Sequence, residues 1–141
     1  MMLTHCKTAG FKDIYMSADS NGKRKTRNFL NTPLRDDGIF CQISYASGRD
    51  DAEITLDVIY ANENGEVDDS VKVVQADAGN IFLSQGDGDL TIQLAIRPDG
   101  DDTGEPLPQG PWKTGTYQVT FFIDGKKEDS IKFQCADSYD E

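Results

Sequence analysis

The fold of this chain is decided by one stretch, Gly110-Pro-Trp-Lys-Thr-Gly-Thr-Tyr-Gln-Val-Thr-Phe-Phe-Ile-Asp-Gly-Lys-Lys127, followed by Ile131-Lys-Phe-Gln-Cys135. It holds the only tryptophan and two runs in which apolar residues alternate with polar ones. Between the runs, Asp124-Gly125 offers the positive backbone angles of a two-residue turn. The alternation predicts a β-hairpin with one buried face, formed by Tyr117, Val119, Phe121, Ile123, Ile131, Phe133 and Cys135.

Three other segments supply the rows that we expect to pack against this hairpin. Each alternates with a period of two and lies between turns rich in Gly, Asn and Asp. The predicted inward rows are Ile39, Cys41, Ile43 and Tyr45; Ile54, Leu56, Val58 and Tyr60; and Leu90, Ile92, Leu94 and Ile96. Eight or nine such strands predict an all-β protein, a single antiparallel immunoglobulin-like β-sandwich. Residues 67–78 fit both helical and strand spacing, and their β-branched content favours a strand.

The length of 141 residues suits one domain, large enough to bury roughly 68% of the surface of the unfolded chain. We expect a flexible tail over residues 1–10, the β-sandwich over residues 11–136 and an acidic tail over residues 137–141. No window contains the ~18 consecutive apolar residues of a transmembrane helix.

The net charge of −11 argues against nucleic acid as a partner, because binding to phosphates depends on Lys and Arg. Lys23-Arg-Lys-Thr-Arg27 is a local exception. It is interpreted as a solvated strand face beside a turn, with contact to an anion, a phospholipid or an acidic partner as the alternative.

No catalytic set is visible, so the chain is not predicted to be an enzyme. Its one histidine is His5, and it lacks the spacings typical of zinc sites, haem attachment, serine nucleophiles and phosphate loops. No cofactor is expected, apart from calcium as an alternative. Acidic residues at one- and two-residue spacing offer hard oxygen ligands for that ion, namely Asp87, Asp89, Asp99, Asp101, Asp102 and Glu105.

The residues from Pro111 to Lys126, with Ile131-Lys-Phe133 after them, resemble the end of immunoglobulin-like domains in bacterial exported lipoproteins. Further matching pieces are the turn Asp19–Lys25, Phe29 and Ile39-Phe-Cys41, in the same order. The resemblance implies a β-sandwich in the bacterial cell envelope, in the periplasm or on the cell surface. It implies no chemistry, because the group has no assigned function.

The three cysteines acquire expectations from this context. Leu3-Thr-His-Cys6 has the form of a lipobox remnant, although His5 replaces the usual small residue, so Cys6 is either a lipidation site or a free thiol in a tail. Cys41 and Cys135 both belong to inward rows. An exported location would let them form a disulfide, and two buried reduced thiols are the alternative.

Three functional hypotheses follow. The first is a non-catalytic interaction module that meets a protein partner through sheet edges or loops, with membrane attachment through a lipid anchor. The second is a calcium- or carbohydrate-binding module, for which Phe122 and Tyr139 are the candidate exposed aromatics. The third is a subunit of an extracellular assembly, in which the Phe122 row or an N-terminal strand mediates self-association.

Overall fold

The fold is built from strands, as the alternating rows predict. A computed structural model describes residues 9–32, 38–77, 79–97 and 105–136, and these contain β-strands and no helix. The strands are β1 Ala9–Ser17, β2 Asn28–Leu30, β3 Phe40–Ser47, β4 Ala52–Ala61, β5 Lys72–Gln75, β6 Ile81–Leu83, β7 Gly86–Arg97, β8 Gly115–Ile123 and β9 Lys126–Ala136.

Two sheets face each other, which confirms the prediction of an all-β sandwich. Sheet A has the order β1-β3-β7-β5, and sheet B has the order β2-β9-β8-β4-β6. The prediction of a wholly antiparallel sandwich is wrong at one pair, because β2 runs parallel to β9, with Phe29 beside Cys135. The first two strands thus belong to different sheets: β1 joins sheet A, and β2 joins the edge of sheet B.

The closing hairpin lies in sheet B and forms the centre of the core. Tyr117 pairs with Phe133 across β8 and β9, and their rings stack with centroids 4.9 Å apart. Trp112 places its ring edge-on to both, at 5.7 Å from Tyr117 and 6.3 Å from Phe133. All three aromatic side chains are buried, so their role is to pack in the core.

The predicted two-residue turn is also present. Asp124 and Gly125 both have positive φ, 52° and 83°, and β8 pairs with β9 on either side of them. The Asp124 carboxylate accepts a hydrogen bond from the Glu53 amide at 3.0 Å and forms an ion pair with Arg49. These bonds tie the closing turn to the connection between β3 and β4.

One local prediction differs from the structure. The run Lys23–Arg27 was interpreted as a strand face, whereas it forms no strand and pairs with β1 through a single bridge between Ser17 and Lys25. The Asp19 carboxylate explains the difference, because it accepts bonds from the Lys23 and Arg24 amides at 3.2 and 3.0 Å and so closes a turn. The first strand of the described residues begins at Ala9.

The ambiguous segment 67–78 contains the strand β5, as favoured, and no helix in its described residues. β5 is only four residues long and pairs with the end of β7, where Val73 lies beside Ile96. It therefore lies at the edge of sheet A, directly across the sandwich from the edge of sheet B.

Candidate functional site

The two sheets have unpaired edges that face each other along one side of the sandwich. On sheet B this edge belongs to β4, which pairs along its length with β8. On its other side β4 pairs with β6 only from Ala52 to Ile54, and a single bridge joins Ala61 to Val67. Within the described ranges, β4 has no strand partner on that side from Thr55 to Ile59. This five-residue interval is called the open window.

The backbone hydrogen bonds at the two ends of the open window show which way its main-chain N–H and C=O groups point. The Glu53 carbonyl accepts a bond from the Asp124 amide in the β8–β9 turn, and the Tyr60 carbonyl accepts one from the Asp68 amide on the opposite side. Successive residues of an antiparallel strand direct their main-chain groups to opposite sides. The N–H and C=O groups of Thr55, Asp57 and Ile59 therefore point towards β8. Leu56 and Val58 therefore direct their N–H and C=O groups out of the sheet edge.

The edge of β5 presents main-chain groups in the same way. The Ala76 amide donates to the Gln93 carbonyl of β7 at 2.8 Å. By alternation, the main-chain groups of Lys72 and Val74 also point towards β7, and those of Val73 and Gln75 point away from the sheet. Both walls of the space between the sheets thus carry main-chain donors and acceptors that a further strand could engage.

Between these two edges lies a groove of about 600 Å³, called the edge groove. Its volume is in the range of sites that enclose a ligand or a short peptide segment. Three side chains that pack against the core are only partly buried here: Leu56 and Val58 of β4 and Val73 of β5. At the edge groove the hydrophobic core is partly exposed, since no further strand of the described residues covers it.

The prediction that all of Ile54, Leu56, Val58 and Tyr60 are core residues is therefore correct only for the ends of the row. Ile54 and Tyr60 are buried, with 1% and 5% of their surface exposed. Leu56 and Val58 point inward as expected but remain half-buried. Alternation identifies the face of a strand, and it carries no information on whether a neighbouring strand covers that face.

Charged side chains surround the edge groove unevenly. Asp57 and Asp77 line it, and so do Lys72 and Arg97, which are paired in register on β5 and β7. After Tyr60 the chain leaves β4 and passes through β5. It then pairs with β4 again at the other end, where Ile81 lies beside Ile54. Lys72 therefore lies towards the Tyr60 end of the groove, and Asp77 lies towards the Ile54 end.

The wider flank of the groove is strongly acidic. The segment from Asp50 to Asp77, which includes β4, β5 and their connection, contains nine acidic residues and one basic residue. It carries −8 of the net charge of −11, in a fifth of the chain. The negative potential of the protein is thus concentrated beside the open window.

The candidate calcium ligands that the structure describes lie in separate places. Asp87 and Asp89 are among the first residues of β7, where they pair with β3. Asp87 pairs with Lys12 at 3.2 Å, and Asp89 accepts a hydrogen bond from Ser44 at 2.7 Å. Both carboxylates already have partners across sheet A.

Glu105 is exposed and lies near the Ile96 end of β7, far from Asp87 and Asp89 at its start. Asp99, Asp101 and Asp102 lie outside the described residues. Among the residues that the structure describes, no three His, Cys, Asp or Glu side chains converge as a metal site.

The two cysteines predicted as a disulfide are free thiols in the structure. Cys41 lies in β3 of sheet A and Cys135 in β9 of sheet B, and both are buried. The nearest sulfur partner of Cys41 is the Met16 thioether, with the two sulfur atoms 3.6 Å apart. Burial raises the pKa of each thiol to about 12, which keeps both protonated and unreactive. Cys6 lies outside the described residues.

Among the described residues, Phe122, the candidate for carbohydrate binding, is not part of a platform of exposed aromatic rings. Phe122 is half-buried on the outer face of β8, as alternation predicted. Phe82 of β6, which the sequence did not single out, is 53% exposed on the far side of β4. Glu53 and Thr55 lie between their strands at these positions. Tyr139 lies outside the described residues.

The basic run Lys23–Arg27 has a structural role in its first half. Besides the two amides held by Asp19, the ammonium group of Lys25 lies 4.4 Å from the centre of the Tyr15 ring. Amide hydrogen bonds from Arg24 and Lys23 lower the pKa of the Asp19 carboxyl group, against a smaller effect of burial. The run is largely exposed beside a turn, as interpreted, but it forms a single bridge and no strand face.

The edge groove itself was not singled out from the sequence. One usable signal was the mixed periodicity of residues 67–78, because a short strand with a weak pattern is typical of a sheet edge. Another was Asp57, an exposed charge at the middle of an otherwise regular strand.

No helix in the described part of the chain is long and apolar enough to cross a membrane. No protein-family model matches the chain, and none of the curated proteins compared with it is similar. The edge groove and its charge are accordingly the basis for a functional proposal.

Proposed function

We propose that this protein is a non-catalytic binding module with an immunoglobulin-like fold, which takes up an extended segment of a partner protein at the edge of β4. The observation that carries the proposal is the open window, where a regular strand has main-chain groups directed outward beside partly exposed core side chains. An added strand would form hydrogen bonds to Leu56 and Val58 and cover the apolar groove with alternate side chains.

The immunoglobulin-like assignment is supported by strand order. Sheet A matches the A-B-E-D order of such domains, and β4, β8 and β9 match strands C, F and G. Tyr117, near the start of β8, donates its hydroxyl hydrogen to the Lys113 carbonyl oxygen at 2.6 Å, as in the tyrosine corner of these folds. One departure is that β6, which extends the sheet beyond strand C, follows β5 along the chain.

An enzymatic or metal-dependent function has less support. The acidic residues described above are exposed or engaged in sheet contacts, and the buried thiols lie in the core. A sheet edge, in contrast, offers binding energy without any specialised side chain, because the main chain supplies the donors and acceptors.

Photocrosslinking tests the proposal. A photoreactive amino acid at position 72, on the rim of the groove, is expected to crosslink the partner in extracts of the source cells. The matched control replaces Lys132, an exposed lysine on β9, and should capture nothing specific. Val58→Pro removes one outward N–H group and should abolish capture from position 72. Equal capture from both positions, or capture that survives Val58→Pro, would refute strand addition at β4.

We also propose that the protein is exported and lipid-anchored, since the sequence resembles exported lipoproteins and Cys6 follows a lipobox-like tetrapeptide. Mass spectrometry of the N-terminus of the native protein tests this. A diacylglyceryl group on Cys6 is expected, and an unmodified soluble protein would refute the anchor while leaving the binding proposal intact.

A further inference from the structure

We infer that the segment bound in the edge groove is basic: a stretch of about five residues of another protein in which apolar side chains alternate with Lys or Arg. The inference rests on the proposed function, because it specifies the occupant of the same groove. It is drawn from the length of the open window, the direction of its side chains and the charge beside it.

The window sets the length. It extends over the five residues from Thr55 to Ile59, which corresponds to about 17 Å of extended chain. The strand position next to β4 is occupied at both ends of the window: by Ile81, which pairs with Ile54, and by Val67, which pairs with Ala61. A longer strand would therefore collide with these residues unless it bent away from the sheet.

The alternation of β4 sets the pattern. An added strand places residues opposite Leu56, Asp57 and Val58, and opposed side chains share a face of the sheet. The residues opposite Leu56 and Val58 would enter the groove and meet partly buried apolar side chains, including Val73. The residue opposite Asp57 would point outward beside an exposed carboxylate.

The charge sets the chemical class. Opposite charges on facing strands stabilise a pair, and like charges destabilise it. Asp57 at the centre of the window thus favours Lys or Arg in the outward position opposite it. Asp77 and the basic residues Lys72 and Arg97 line the β5 side of the groove, so they face the inward positions of an added strand. The net −8 of the flank from Asp50 to Asp77 attracts such a segment over a longer range.

A second copy of this chain fits the groove less well. Pairing two β4 edges would bring two copies of the same acidic flank together. That pairing would place two flanks, each with a net charge of −8, against each other, whereas a basic segment would neutralise the flank. The charge distribution consequently favours a partner other than the protein itself.

The test uses three synthetic peptides with blocked ends and the folded protein. The first is Gly-Lys-Val-Lys-Val-Lys-Val-Gly, the second replaces every Lys by Glu, and the third places the same Lys and Val residues in two blocks. Affinity is measured by titration, and the exchange of the Leu56 and Val58 amides is measured by NMR. The basic alternating peptide should bind and slow the exchange of both amides, and the acidic and block peptides should not.

Variants locate the interaction. Asp57→Asn should weaken binding of the basic alternating peptide by up to about fivefold, the value of one exposed charge pair. Asp129→Asn, which removes an exposed carboxylate on β9, should leave the affinity unchanged. Raising the ionic strength from about 0.01 M to about 1 M shortens the Debye length from about 30 Å to about 3 Å and should weaken binding.

The outcomes separate the two proposals. If the acidic peptide protects Leu56 and Val58 as well as the basic one, strand addition stands and the inference of a basic occupant is refuted. If the basic peptide binds without protecting these amides, strand addition at β4 fails too. Protection that rises with protein concentration in the absence of peptide would identify a second copy as the occupant and overturn the inference.

Discussion

The amide of Asp68 donates a hydrogen bond to the carbonyl oxygen of Tyr60 at 2.9 Å, on the side of β4 that faces away from β8. This bond marks one end of the open window. It also shows which residues of the strand face the neighbouring strand β8 and which face outward. The same alternation predicts opposite effects for neighbouring substitutions.

Proline substitutions at positions 58 and 59 should differ sharply in their effect on stability. Val58→Pro removes an outward N–H group, and the protein should remain folded with a small loss of stability. Ile59→Pro removes an N–H group that faces Gln118 of β8 and should destabilise the fold by about 3 kcal/mol or more. Urea denaturation followed by circular dichroism measures both. Equal destabilisation would contradict the assigned directions.

The hydrogen bond from the Tyr117 hydroxyl to the Lys113 carbonyl should contribute measurably to stability. Tyr117→Phe keeps the ring stack with Phe133 but leaves the Lys113 carbonyl without its bond, so we expect a loss of about 1–2 kcal/mol. Tyr15→Phe is the matched control, since the half-buried Tyr15 donates to the Gly22 carbonyl at 3.1 Å. Its loss should be smaller, about 0.5 kcal/mol. A reversed order in urea denaturation would count against a structural role for this hydrogen bond.

The buried thiols predict a loss of stability at alkaline pH. Burial raises the pKa of Cys41 and Cys135 from 9.0 to about 12, so the folded state retains protons that the unfolded state releases. Their contribution is complete below pH 9 and declines as pH rises from 9 to about 12.

Replacing both by Ala should flatten the melting temperature over this pH interval, although it lowers stability at pH 7 by leaving cavities. A thiol reagent should modify neither cysteine in the folded protein and both in urea. Rapid modification under native conditions would contradict their burial.

The turn held by Asp19 should contribute to acid sensitivity. Its carboxyl pKa is lowered by amide hydrogen bonds from Arg24 and Lys23, so it stabilises the fold above the unfolded pKa of about 3.9. That contribution is lost as pH falls through the lower folded value. Asp19→Asn should reduce the dependence of melting temperature on pH below about 4. Asp129→Asn is the control, since the exposed Asp129 carboxylate accepts a hydrogen bond from the neighbouring Ser130 amide. An identical effect of both substitutions would show that the turn contributes nothing specific.

The closing hairpin was predictable because its signals are local. The alternation of Tyr117, Val119, Phe121 and Ile123 fixes a face, and Asp124-Gly125 fixes a turn, with no information needed from the rest of the chain. The inward rows at Cys41 and Ile92 followed from the same rule and are buried, except for Leu90, which is partly buried.

The candidate site was not predictable in this way, because it depends on which strand lies beside which. Leu56 and Val58 have the same pattern as Ile54 and Tyr60, and only the short reach of β6 leaves them half-exposed. The parallel pairing of Phe29 with Cys135 is a contact between residues far apart in the sequence. The aspartates at 87 and 89 look like loop ligands, and their pairing with Lys12 and Ser44 arises only once sheet A is assembled.

Hydrogen exchange at single amides of β4 in the free protein tests the central claim most directly. NMR measurement at neutral pH should find rapid exchange at Leu56 and Val58 and slow exchange at Thr55, Asp57 and Ile59, which face β8. Exchange that is equally slow at all five amides would contradict an open edge, and with it the proposed binding of a partner strand.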